Sequence, residues 1–142
     1  MQSRENKPMT KLRNSFLLAV AAAALTGCGK SGDARKTEAV RCYGFMTAML
    51  GSMQDPDHPS EFIQAYGRVA KDHFKGQEAK LSAVAALGEQ LSGQMEATKS
   101  AAAQQDGSQD FLKFQKVNDA DGAVEYVDDC VANHDKLLAA AR

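Results

Sequence analysis

From about Arg35 onward the chain reads as a series of helical stripes. The first runs from about Arg35 to Met53, with Ala39, Cys42, Tyr43, Met46, Met49, Leu50 and Met53 on one face. That i, i+3, i+4, i+7 spacing is the pattern of an amphipathic helix. Gly44 inside it is tolerable, at about 1 kcal/mol against alanine. Pro56 and Pro59 then forbid helix, and Gln54-Asp55-Pro56-Asp57-His58-Pro59-Ser60 reads as a turn. Ser60 is placed to cap a second helix, with Glu61 in its first turn and Phe62, Ile63, Tyr66, Val69, Ala70, His73 and Phe74 facing inward. Gly76 is its expected stop.

A third helix is expected from about Gln77 to Ala103, with Leu81, Val84, Ala85, Gly88, Leu91 and Met95 inward and its alanine-rich end fraying. Asp106-Gly107-Ser108 is expected to break it. Phe111, Leu112, Phe114 and Val117 then make one or two helical turns. After the turn Asn118-Asp119-Ala120-Asp121-Gly122, a last helix is expected from about Ala123 to Ala141, striped by Val124, Val127, Val131, His134 and Leu138. No segment alternates as a strand does. The expectation is an all-α domain over residues 36–142, a small bundle of about four helices.

The apolar run Phe16 to Leu25 has a different character. It follows a basic stretch carrying Arg4, Lys7, Lys11 and Arg13 against Glu5. At ten residues it is too short to span a bilayer, which takes about twenty. A basic start, a short apolar core and a small-residue exit make the signature of a secretory signal. Met9 would give that signal a more usual length than Met1. The run closes on Leu25-Thr26-Gly27-Cys28: an aliphatic residue, two small residues and a cysteine. This resembles the lipobox of bacterial lipoproteins. The resemblance implies diacylglycerol on the Cys28 thiol, cleavage after Gly27 and acylation (palmitate among the chains) of the new amine. Gly29 rather than aspartate follows, which in Gram-negative lipoproteins implies sorting to the outer membrane. The implied parts are a signal peptide over 1–27, a lipidated tether over 28–35 and the helical domain. More than one acyl chain, at about 0.8 kcal/mol per buried methylene, makes such an anchor stable.

Ala24-Leu25-Thr26-Gly27-Cys28-Gly29-Lys30-Ser31 also fits a relaxed P-loop pattern, with alanine replacing the first glycine. A P-loop needs a strand before it and a parallel sheet behind it, and the remaining chain offers no strands for one. Gly29 to Ala34 reads instead as a flexible linker, reaching at most ~25 Å. Lys30, Arg35, Lys36 and Arg41 lie near it, placed to meet anionic headgroups or simply to keep it soluble.

Charge narrows the partners. From Cys28 on there are thirteen Lys/Arg against seventeen Asp/Glu, a mildly acidic balance that argues against nucleic acid. Asp55, Asp57 and His58 are a weak metal signal from a loop. Met46, Met49, Met53 and, more distantly, Met95 have soft-metal or adaptable-groove chemistry, but at helical spacing they read first as core filler. Placing Gly122 at position six of a calcium loop puts Val117 at position one, where it cannot ligate, and Asp128 at twelve in place of the longer glutamate. That segment therefore reads as turn and cap. No metal or cofactor site is expected.

With Cys28 committed to lipid, Cys42 and Cys130 remain as an even pair on the first and last stripes. Export places them where disulfides persist, so a Cys42–Cys130 bond is expected, two buried thiols being the alternative. No Gly-x-Ser-x-Gly, His-Glu-x-x-His or Glu-x-x-His occurs, and no cysteine is left as nucleophile. No catalytic residue is assigned. The expected role is a lipid-anchored, periplasm-facing envelope protein that acts by protein interaction or envelope assembly. A small-ligand or metal-responsive periplasmic binding protein is the alternative.

Overall fold

The computed structural model describes residues 32–53 and 60–141. Cys28, the P-loop-like stretch and the Asp55/Asp57/His58 turn lie outside them. The described residues form five α-helices: α1 (Gly32–Met53), α2 (Glu61–His73), α3 (Glu78–Gln94), α4 (Ala97–Val117) and α5 (Ala120–Ala140). From Ala34 onward they belong to one compact unit. None of the described helices is long and apolar enough to cross a membrane. The chain is thus the all-α bundle that the stripes imply, with one helix more than the four expected.

The additional helix comes from two corrections. Asp106-Gly107-Ser108 does not break anything; it lies in the middle of α4. The expected helix from Gln77 to Ala103 is instead interrupted at Met95 and Glu96. Both take extended ψ angles, 158° and 135°. The Glu96 carboxylate then caps α4, accepting from the Thr98 and Lys99 amides at 3.0 and 3.2 Å, and those bonds hold its pKa below the usual value. Ser92, Ser100 and Gln104 brace the corner. The two hydroxyls lie 2.5 Å apart, and the Gln104 amide donates to Ser92 at 2.6 Å.

The other boundaries follow their signals. The Ser60 hydroxyl accepts from the Ile63 amide at 3.1 Å, and Gly76 takes a left-handed φ of 80° just beyond α2. Asn118 ends α4 at φ 54°, and Asp119 caps α5 by accepting from the Gly122 amide at 2.9 Å. Helix α1 begins at Gly32, so it takes in the last residues of the expected tether.

Helix α1 forms the centre. Ala39, Val40, Cys42, Gly44, Phe45 and Met46 are all buried, and at 100° per residue they point around most of the helix circumference. The main core gathers Phe45, Met46, Phe62, Tyr66, Phe111 and Val127 from four helices, with Val84 from the fifth. A smaller cluster holds Val40, Ala39, Leu91 and Ala103. Helices α1 and α5 run antiparallel: Arg35 meets Asn133, Cys42 meets Cys130 and Phe45 meets Tyr126.

Helix α4 crosses α1 on glycines. A Cβ at Gly107 would overlap the Arg41 carbonyl and come within 2.7 Å of the Phe45 amide nitrogen; one at Gly44 would overlap the Gln104 carbonyl. Backbone contact of this closeness is available only to residues without side chains.

Candidate functional site

Two features stand out, a polar clasp on one side of α1 and an apolar groove on another. The clasp centres on the disulfide. Cys42 and Cys130 are bonded, with Cα atoms 5.9 Å apart and a separation of 88 positions in sequence. Both are buried. Beside the bond, Arg41 grips Asp110 in a two-pronged ion pair, Nε to Oδ2 at 2.6 Å and Nη2 to Oδ1 at 2.9 Å. The Tyr126 hydroxyl donates to the same Asp110 Oδ2 at 2.8 Å. The Tyr126 ring stacks on Phe45 at 4.1 Å between centroids, and Phe111 and Phe114 meet Phe45 edge-on.

Burial opposes charge on Asp110, but the bonds from Arg41 and Tyr126 prevail and hold its carboxyl below the usual range. The hydrogen bond to Asp110 also pushes the Arg41 pKa up. Burial first, and then donation to Asp110, push the Tyr126 phenol well above its ordinary value. All three groups are therefore locked in their resting protonation states around neutrality. Groups held in this way tie helices together and are poorly suited to exchange protons with a substrate. A small hollow of about 130 Å³, bordered by Glu38, Arg41, Tyr126 and Asp129, opens beside the disulfide.

The groove is larger, about 460 Å³. Helix α1 contributes Met46, Met49, Leu50 and Met53; α2 contributes Tyr66, Gly67 and Ala70, and its C-cap Phe74; α3 adds Leu81 and Ala85. Val127 of α5, behind these three helices, reaches its bottom. The deep residues are almost dry: Met46, Tyr66, Phe74 and Val127 are 6%, 4%, 4% and 1% exposed. At the lip, Leu50 and Met53 are 57% and 40% exposed. Among the described residues, the charged or hydroxyl-bearing side chains at its border are Lys71, Glu78 and Ser82, all on α2 and α3 and all exposed. Burial, followed by the charge of Asp128, pushes the Tyr66 phenol up to about 12, so its ring enters the groove neutral.

The methionines thus divide. Met46 belongs to the core, as helical spacing implies, whereas Met49 and Met53 continue the same face out to the lip of the groove. Met95 packs instead against the smaller cluster around Val40 and Leu91. His73, placed on the inward stripe, lies at its rim instead: it is exposed and bonds Asp128 at 2.7 Å. The α5 stripe is rotated slightly from the expected one. Ala120, Ala123 and Cys130 lie inside, and Leu138 is 44% exposed. Among the described residues no group of three or more His, Cys, Asp or Glu is arranged to hold a metal ion.

Sequence reasoning missed the clasp. Arg41, Asp110 and Tyr126 are scattered over 86 positions, and a single buried acid in α4 carries no periodic signal. The groove was half visible, because the methionine spacing marked its α1 wall but nothing marked the gap opposite. No family model, curated protein or solved structure matches the chain.

Proposed function

We propose that the protein is a lipid-anchored envelope protein, attached through Cys28 to the outer membrane and facing the periplasm, that acts by binding rather than by catalysis. The observation that carries the binding part is the Met46/Met49/Met53 groove, a dry-bottomed apolar slot of about 460 Å³. That falls in the size range of small-molecule sites. The anchor and compartment rest on the Leu25-Thr26-Gly27-Cys28 motif, with support from a disulfide between helices, the kind of bond that persists in oxidising compartments. An envelope protein partner seated on the same face is the second reading, favoured by the exposure of Leu50 and Met53.

Two measurements test this. Metabolic labelling with a fatty acid should mark the wild-type chain and fail on Cys28→Ala, which should leave the membrane fraction; equal labelling of both removes the anchor. A photo-crosslinking residue at Leu50 should form reproducible adducts in cells, with small apolar molecules or with one protein, while the same residue at exposed Glu89 should not. Equal patterns at the two positions remove the binding role of the groove.

A further inference from the structure

We propose that the groove takes a single unbranched acyl chain whose carboxylate head rests at Lys71. The inference builds on the binding reading above and names its ligand.

Shape comes first. The lining runs from Met46 to Met53 on α1, Tyr66 to Phe74 on α2 and Glu78 to Ala85 on α3. At 1.5 Å per residue each wall is roughly 10–12 Å long. The slot passes between these helices until it meets Val127 on the helix behind them. A docked helix, about 10 Å wide with its side chains, packs on the ridges of its neighbours at 8–10 Å between axes. Filling the bottom, where Met46, Tyr66 and Val127 are at most 6% exposed, takes a thinner occupant. A flexible hydrocarbon chain can enter. A methylene occupies about as much space as a water molecule, roughly 30 Å³, so the slot holds on the order of fifteen of them, bent within its length.

The wall chemistry agrees. Met46, Met49 and Met53 are unbranched and polarizable, and such side chains adjust to a ligand of variable path.

Charge then selects the head. Lys71 borders the slot and has no carboxylate partner among the ion pairs of the described residues. Glu78 borders it as well, its Oε1 accepting only a long bond, 3.4 Å, from the Gly76 amide. One ammonium at the border suits a head carrying a single negative charge, while the carboxylate of Glu78 elsewhere on the border disfavours a dianionic phosphate.

The test is a titration of the purified full chain, disulfide intact, with straight-chain carboxylic acids of eight to eighteen carbons below their micelle concentrations, read by displacement of a fluorescent fatty acid. Affinity should rise about fourfold per added methylene and level off between ten and sixteen carbons. Lys71→Met should weaken the acids about tenfold and leave primary alcohols of equal length unchanged. Gly67→Leu, which enters open space with nothing within 4 Å of its Cβ position, should abolish binding of both. The circular dichroism of each variant should match wild type. Acids and alcohols binding wild type equally, with no effect of Lys71→Met, overturns the proposal. So does the absence of binding by any acid, or a concentration-dependent dimer that Gly67→Leu disrupts. Crosslinking from Leu50 decides separately whether the groove binds anything, so a protein adduct there together with silent titrations would reject the acyl ligand alone.

Discussion

Single residues set the closest tolerances in this bundle. Gly107 and Gly44 let the α1 and α4 backbones touch, and an added methyl has nowhere to go. Gly107→Ala is expected to destabilise by about 3 kcal/mol despite the better helix propensity of alanine, because overpacking outweighs it. Gly67→Ala, in a helix with open space around it, should do the reverse and stabilise by roughly 0.5–1 kcal/mol. Urea unfolding of the two variants beside wild type measures both signs. The clasp adds a pH signature. The Asp110 carboxyl sits below its ordinary value, so its contribution is complete above the unfolded pKa and is lost as pH falls through the folded one. Asp110→Asn should flatten stability on the acid side, below about pH 4. The Tyr126 and Tyr66 phenols are raised, so their contribution holds below about pH 10 and is lost as pH rises further. Tyr126→Phe should lessen that alkaline fall. Unfolding midpoints across pH 2–11 report both limbs.

At the scale of the element, the sequence was legible where burial coincides with apolarity. Helices α2 and α3 show this: their buried Phe62, Ile63, Tyr66, Val84 and Leu91 repeat at helical spacing, and proline, serine and glycine mark the ends of α2. Helix α4 shows the opposite. Its inner face is Ser100, Ala103, Gly107 and Asp110, with Phe111 the only large apolar residue buried. A stripe made of small and polar residues gives no hydrophobic period, and Gly107 reads as a breaker when it is in fact a contact point. The α3–α4 corner was equally silent, since neither proline nor glycine occupies Met95 or Glu96 and a glutamate does the capping. Helix α1 hid its centrality in another way: its stripe was legible, but Val40, Gly44 and Phe45, buried off that stripe, were not part of it. The Cys42–Cys130 bond, by contrast, followed from counting the cysteines once Cys28 was set aside. Because it ties α1 to α5 across 88 residues, Cys42→Ser/Cys130→Ser is expected to lose about 4 kcal/mol in the chain-entropy model. Guanidinium unfolding with and without reductant should show the same difference in wild type and none in the double variant.

For the whole molecule, the acyl chain proposed for the groove would couple binding to stability. A ligand that binds only the folded chain adds about 2.7 kcal/mol at one hundred times its dissociation constant. A saturating straight-chain acid should therefore raise the melting temperature of wild type by several degrees and leave Gly67→Leu unmoved; differential scanning calorimetry reads this directly. The clasp and the groove lie on different sides of α1, so the Asp110→Asn variant is expected to keep the full ligand-induced shift.

The bond between the first helix and the last also governs timing. Cys42 leaves the ribosome before its partner, which follows 88 residues later, so the ring cannot close until the helices between them have been made. On the export route proposed above, the chain would cross before the bond forms and without the stability the bond contributes. Closure on the far side would then act as a ratchet, discouraging return and marking by a shift in non-reducing electrophoresis which molecules have completed the crossing.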